Sequence, residues 1–175
     1  MYSFWAFLPL VIVYLNGSEV SGSYESLLTF FVIAAGAMSC AVGGLLSNRF
    51  GSRAVATTAL IGSGICCLTL ILVQGATPEV WVSLLILWGI LITADSPQFS
   101  TLVAQSVIPE YRGTALTLVN SLGFFISVVS IQFAQVLLNW FSIVEVLSFL
   151  VIGPVLGLFL FRFFYLKSKA FRNTS

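Results

Sequence analysis

The sequence predicts an all-α integral membrane protein, a bundle of six transmembrane helices. Three observations carry this reading. Of the 175 residues, 59% are apolar and only 7% charged, whereas roughly a quarter of a typical soluble domain is charged. The apolar residues fall into runs of bilayer-crossing length, about 20 residues each. The seven basic residues, Arg49, Arg53, Arg112, Arg162, Lys167, Lys169 and Arg172, all fall on one side of the segmentation that these runs give.

The spans are expected at 2–16, 27–46, 54–74, 80–104, 113–138 and 142–165. They form one six-helix bundle over 1–166, with a polar tail at 167–175. The first span is short. It lacks the positive start and the small-residue cleavage site of a secretory signal and carries Trp5, Pro9 and Tyr14, so it reads as a short or N-terminally clipped helix. The segments 17–26, 75–79 and 139–141 hold Glu19, Glu25 and Glu79 but no Lys or Arg. The excess of basic residues in cytoplasmic loops places them outside and both termini in the cytoplasm. Span two has two rows of small residues at four-residue spacing, Ala35, Ser39, Gly43 and Gly36, Cys40, Gly44, and span six has Gly153 and Gly157 flanking Pro154. Such rows let helix backbones approach closely, so they read as tight packing.

Composition also excludes functions. Histidine is absent, which removes the usual general base and the commonest metal ligand. Cys40, Cys66 and Cys67 lie inside apolar runs without metal or redox spacing, and read as small buried hydrophobes. No cofactor or metal is expected, and a net charge of +1 gives no attraction to nucleic acid. A rhomboid-like serine protease also has six helices, but it needs a histidine base. The sequons at Asn16 and Asn173 are discounted, the first as too close to the bilayer and the second as cytoplasmic.

Two loops carry information. Gly44-Leu45-Leu46-Ser47-Asn48-Arg49-Phe50-Gly51-Ser52-Arg53 resembles the signature of the major facilitator superfamily between the second and third helices of each half. Gly44, Leu46, Arg49, Gly51 and Arg53 match, while Asn48 stands for an aspartate and Ser52 for an arginine. A tight turn there brings cationic side chains to a helix C-terminus, whose dipole favours them. Ile108-Pro109-Glu110-Tyr111-Arg112-Gly113 is similar to the segment between that superfamily's tenth and eleventh helices, with Arg112 in the matching place. There Pro109 ends one helix, and Gly113 lets the next start closely packed.

The resemblance implies that the six spans are helices seven to twelve, the C-terminal half of a transporter. Spans one, two, four and five would then face a central cavity, and three and six lipid. The partners implied are the lipid bilayer, a small-molecule substrate and a second six-helix half, whether the N-terminal half of the same gene, a separate subunit or a homodimer mate.

Span four holds the chemistry. Asp95 lies about two-thirds of the way through it, a depth at which a charged group is costly and should face protein or water. Trp88, Leu91, Asp95 and Gln98 share one helix face at 100° per residue. Pro97 has no N–H for the Thr93 carbonyl, so the helix should kink beside the acid and free an acceptor. Asp95 then serves proton coupling or binds a cationic or hydroxyl-bearing substrate, or it is a buried acid bonded to a neighbouring helix or one near enough to the cytoplasm to be wet. Span five adds a polar stripe, Thr114, Thr117, Ser121, Gln132 and Gln135, with Asn120 and Ser127 beside it, readable as interhelical glue or as cavity lining. Phe124 and Phe125 could supply cavity surface.

The expected function is secondary active transport of a small organic solute by alternating access, with proton coupling as one form of it. The expected location is a bacterial inner (plasma) membrane. Spans one to five hold no arginine, which favours a neutral or cationic solute over an anion. The alternative is a truncated or non-transporting six-helix membrane protein.

Overall fold

The structure, a computed structural model, describes residues 2–16 and 22–172. Glu19, the sequon serine Ser18 and the end of the chain from Asn173 lie outside the described residues. The helices are α1 (Tyr2–Asn16), α2 (Gly22–Phe50), α3 (Ser52–Leu72), α4 (Pro78–Ala94), α5 (Ser96–Ser106), α6 (Arg112–Leu137), α7 (Ile143–Phe149) and α8 (Ile152–Arg172). A 3-10 turn, Pro109–Tyr111, precedes α6, and no strand occurs among the described residues. The protein is an all-α membrane bundle. Five stretches, Glu25–Phe50, Ser52–Leu72, Pro78–Ser106, Pro109–Leu137 and Ile143–Phe163, are long and apolar enough to cross a bilayer, and α1 supplies a shorter apolar helix. Helix α8 runs on to Arg172, into the stretch expected to be a polar tail.

Proline chemistry divides two of the long stretches. Pro97 separates α4 from α5: the Gln98 amide donates to the Asp95 oxygen at 3.0 Å, three residues back, as the register tightens. Pro154 does the same between α7 and α8, where the Leu150 oxygen accepts from the Gly153 amide at 3.0 Å. Helix α7 is fixed at its start by a reciprocal cap. The Ser142 amide and hydroxyl both donate to Glu145 Oε2, at 2.8 and 2.9 Å, and the Glu145 amide donates back to Ser142 Oγ at 3.4 Å. Glu145 is therefore a capping residue, a role beyond the contact with water or headgroups that its position suggests.

The link from α2 to α3 is a single residue, Gly51, with φ 84°, the only positive φ among the described residues. That left-handed conformation is open to glycine at no steric cost, which lets two membrane helices reverse direction without a longer loop. Gly113 behaves differently from expectation. A Cβ there would meet nothing within 4 Å, so α6 does not start in close packing.

Between helices in lipid there is little hydrophobic drive, so association depends on fit. The closest-packed pair is α2 with α4, along the small residues of α2. A Cβ on Gly36 would come within 2.8 Å of Thr93 Oγ1 and 3.0 Å of Trp5, and one on Gly43 within 3.3 Å of the Ala94 oxygen. Gly44 faces open space, so only part of the second row is used. The apolar core joins Phe4, Leu8 and Ile12 of α1 to Trp81, Leu85 and Trp88 of α4, Cys67 and Leu70 of α3, and Val144 and Leu147 of α7.

Helix α1 sits high in this bundle. Phe4 packs on Trp88 and Ser3 bonds Ser130, so the start of α1 lies level with the interior of α4 and α6 rather than at the end that carries Arg49 and Arg112. Helix α6 is thinly covered. It packs on α5, α1 and α7, and Ala134 is its one buried residue.

Candidate functional site

A cavity of about 610 Å3 lies between α6 on one side and α3, α4, α7 and the start of α8 on the other. Its wall is mostly apolar, and among the described residues Asp95 is the only charged one lining it. Asp95 sits at the α4–α5 break, half-buried, with a local hydrogen bond from Ser96 Oγ at 3.4 Å.

The wall around the acid is built by helix geometry. Trp88, Leu91 and Asp95, on one side of α4, look at α3: Trp88 Nε1 donates to Ser63 Oγ at 3.1 Å, Leu91 lies over Gly62, and Asp95 shares the cavity with Leu60 and Ser63. Trp88 is fully buried, with the Phe4 ring centroid 4.5 Å from its own. Its indole nitrogen needs the bond, because an unpaired donor at that depth is costly. Across the cavity the Ser3 hydroxyl donates to Ser130 Oγ at 3.1 Å, tying α1 to α6.

The break itself is held from α2. Without an N–H at Pro97, the Thr93 oxygen accepts from the Cys40 thiol at 3.6 Å, while Ser39 Oγ donates to the Ile90 oxygen at 2.9 Å. The freed acceptor expected at Thr93 is there, and it is not open to a solute. Thr93 Oγ1 turns back to the Gly89 oxygen at 2.7 Å.

The other expected site residues are scattered. Gln98 lies beyond the break, 1% exposed, and does not line the cavity; its Oε1 is buried without a hydrogen-bond partner. Asn120, Ser121 and Gln132 on α6 are exposed, as are Thr114, Thr117 and Gln135, and Ser127 bonds its own Gly123 oxygen at 2.8 Å. Phe125 lines the cavity, whereas Phe124 stacks on Tyr2 at 5.0 Å. In the α2–α3 turn Asn48, Arg49 and Arg53 are exposed, with the Arg49 guanidinium 5.6 Å above the Phe50 ring, and Arg112 is exposed at the start of α6.

A sequence profile of the Major Facilitator Superfamily matches residues 1–174. The chain belongs to the Major Facilitator Superfamily. As a superfamily member it is an integral membrane protein of a transporter family rather than an enzyme, working in a lipid bilayer on a solute. None of the curated proteins and none of the solved structures matches it.

Helix α3 has two faces: Ile61, Ile65, Leu68, Ile71 and Leu72 are exposed, while Ala56, Ala59, Ser63, Cys66, Cys67 and Leu70 are buried, and Ser63 lines the same cavity as Asp95. The reason is the direction of the Trp88–Asp95 face, which turns into the six-helix unit. Ser63, Ser3 and Ser130 were missed from sequence. The signal available for Ser63 was its place in Gly62-Ser63-Gly64, a polar residue where two glycines let a helix approach; the serine pair carried none.

Proposed function

We propose that this chain acts as the C-terminal half of a secondary transporter, moving a small organic solute by alternating access, with Asp95 carrying the coupling proton. One observation carries the reading: a single carboxylate stands at a helix break, deep in a membrane span, on the wall of a cavity that has no other charged residue among those described. Ionisable groups at that depth mark ion or substrate pathways, and broken helices mark binding sites in transporters. A wall without a basic residue among those described supports a neutral or cationic solute. The turn at Gly44 to Arg53 and the segment at Arg112 support the C-terminal assignment. The clustering of basic residues at one end supports cytoplasmic termini, in a bacterial inner membrane.

In such a transporter two six-helix units rock about the solute, and protonation of Asp95 biases which side opens. The partner unit is the N-terminal half of the same gene, another subunit or a second copy.

The test uses vesicles containing the protein with whichever six-helix unit co-purifies, a pH-sensitive dye inside, and a panel of neutral, cationic and anionic solutes. A neutral or cationic solute should drive proton movement in the native protein. In Asp95→Asn that movement should vanish while solute-for-solute exchange continues. Proton movement unchanged in Asp95→Asn removes the acid from coupling, and a panel with no flux at all favours the non-transporting reading.

A further inference from the structure

We propose that the buried side chain of Gln98 holds an internal water one turn on from Asp95, and that through this water Asp95 exchanges its proton with the end of the bundle that carries Arg49 and Arg112. The proton route rests on the transport reading above; the water site does not.

The site begins with an unanswered acceptor. Gln98 is 1% exposed, and its Oε1 is buried with no hydrogen-bond partner among the described residues. An amide oxygen shut away at membrane depth without a donor is costly, and buried polar atoms nearly always have a partner in protein or ordered water. The hydroxyls next along α5 are committed elsewhere: Ser100 and Thr101 donate to the Ser96 and Pro97 oxygens at 3.3 and 2.9 Å. On the neighbouring helices Ser47 and Thr57 likewise turn back, to the Gly44 and Arg53 oxygens, each at 2.8 Å. Water supplies the missing donor. Turning the amide over changes nothing, because water accepts as readily as it donates.

The position makes this water a bridge. Asp95 keeps helical angles, φ −77° and ψ −33°, and its main-chain oxygen accepts from the Gln98 amide at 3.0 Å. The two side chains are therefore neighbours on one helical turn. Such pairs have Cβ atoms about 5–6 Å apart, the span of one water between two polar groups. An internal water needs about two to four polar partners. Gln98 Oε1 is one, and the Asp95 carboxylate, with about four lone-pair sites, accepts a bond from water beside the one from Ser96 Oγ. Gln98 does not line the cavity, so the water lies outside the space a solute would fill.

The half-helix sets the direction. Above the break α4 is almost wholly apolar, whereas the 11 residues of α5 include Ser96, Gln98, Ser100, Thr101, Gln105 and Ser106. The last four of these are exposed. Chains of polar groups inside a membrane mark proton relays. The amide holds the water, and the water takes the Asp95 proton while releasing one of its own along α5, so each transfer leaves it a water.

The experiment uses the whole chain, isotope-labelled in lipid bilayers, and follows by solid-state NMR how fast polarisation from water reaches each N–H. The Gln98 side-chain amide, identified by its loss in Gln98→Met, should gain signal nearly as fast as the exposed Gln105 amide. It should run well ahead of the Leu85 main-chain amide, which is fully buried in the apolar core. A Gln98 signal as slow as that of Leu85 overturns the proposal. In vesicles with the partner unit, Gln98→Met should slow solute-driven proton movement about tenfold, the effect of losing one hydrogen bond to a charged group. Solute-for-solute exchange should keep its rate. Gln98→Asn, which keeps an amide, should restore most of the proton rate, a recovery that filling the space alone would not give. Proton movement unchanged in Gln98→Met, or exchange lost along with it, overturns the route. Should Gln98→Met fail to fold, Gln98→Asn supplies the assignment, and the native signal against that of Leu85 decides. A native protein that moves no protons sinks the transport reading and the route with it, while the amide signal judges the water site on its own.

Discussion

The Cys40 thiol donates to the main-chain oxygen of Thr93 at 3.6 Å, the carbonyl that Pro97 leaves without its helical donor. A cysteine on one helix thereby satisfies the break in another and fixes the turn on which Asp95 stands. Replacing it should be felt at the break. Cys40→Ala leaves that carbonyl without its donor at a cost of about 1 kcal/mol, near the lower end for buried groups because a thiol donates weakly. Cys40→Ser should recover most of the loss. Thermal unfolding in matched detergent micelles checks this, and an alanine variant as stable as the native protein would show that the thiol holds nothing.

Small residues of α2 differ sharply in what surrounds them. Gly36→Ala puts a methyl 2.8 Å from Thr93 Oγ1 and 3.0 Å from the Trp5 ring, so the α2–α4 seam must open. Overpacking of this kind costs about 1–3 kcal/mol. Gly44→Ala meets open space and should be neutral or slightly stabilising, since alanine is the better helix former. The two melting temperatures, measured side by side, should separate; equal values would mean that the seam yields freely.

Trp88 and Ser63 form a buried pair at 3.1 Å, so each depends on the other. Trp88→Phe removes the donor along with part of the ring, and Ser63→Ala leaves the indole N–H unpaired at a cost of about 1–3 kcal/mol. The double variant should lose clearly less than the two single losses added, because the unpaired group disappears with its partner. Simple additivity in the cycle would show that the bond contributes nothing beyond packing.

Much of the bundle was legible along the chain. Apolar runs of bilayer length need helices, since only intrasegment hydrogen bonds satisfy the backbone in lipid. Pro97 announced a break beside Asp95, and the Gly44 to Arg53 segment announced a tight turn between two helices. Other positions were ambiguous in one dimension. Gly113 and Gly51 look alike as loop glycines, and a Cβ at either would meet nothing within 4 Å, but only Gly51 has a positive φ, 84°. Glu145 looked like an acid at a headgroup boundary until Ser142 closed a cap on it.

By itself the sequence determined the all-α membrane class and the polar residues set within apolar runs, because lipid leaves the backbone one solution and makes every buried charge conspicuous. Only the tertiary structure decided which way those residues turn. Helix periodicity placed Trp88, Asp95 and Gln98 on one face, but Gln98, beyond the break, does not line the cavity, and the packing of α4 on α3 brings Ser63 to the Trp88 indole and into the same cavity wall. A residue's neighbours across a bundle depend on helix rotation and offset. Those are fixed by fit between surfaces distant in sequence, and no local pattern records them.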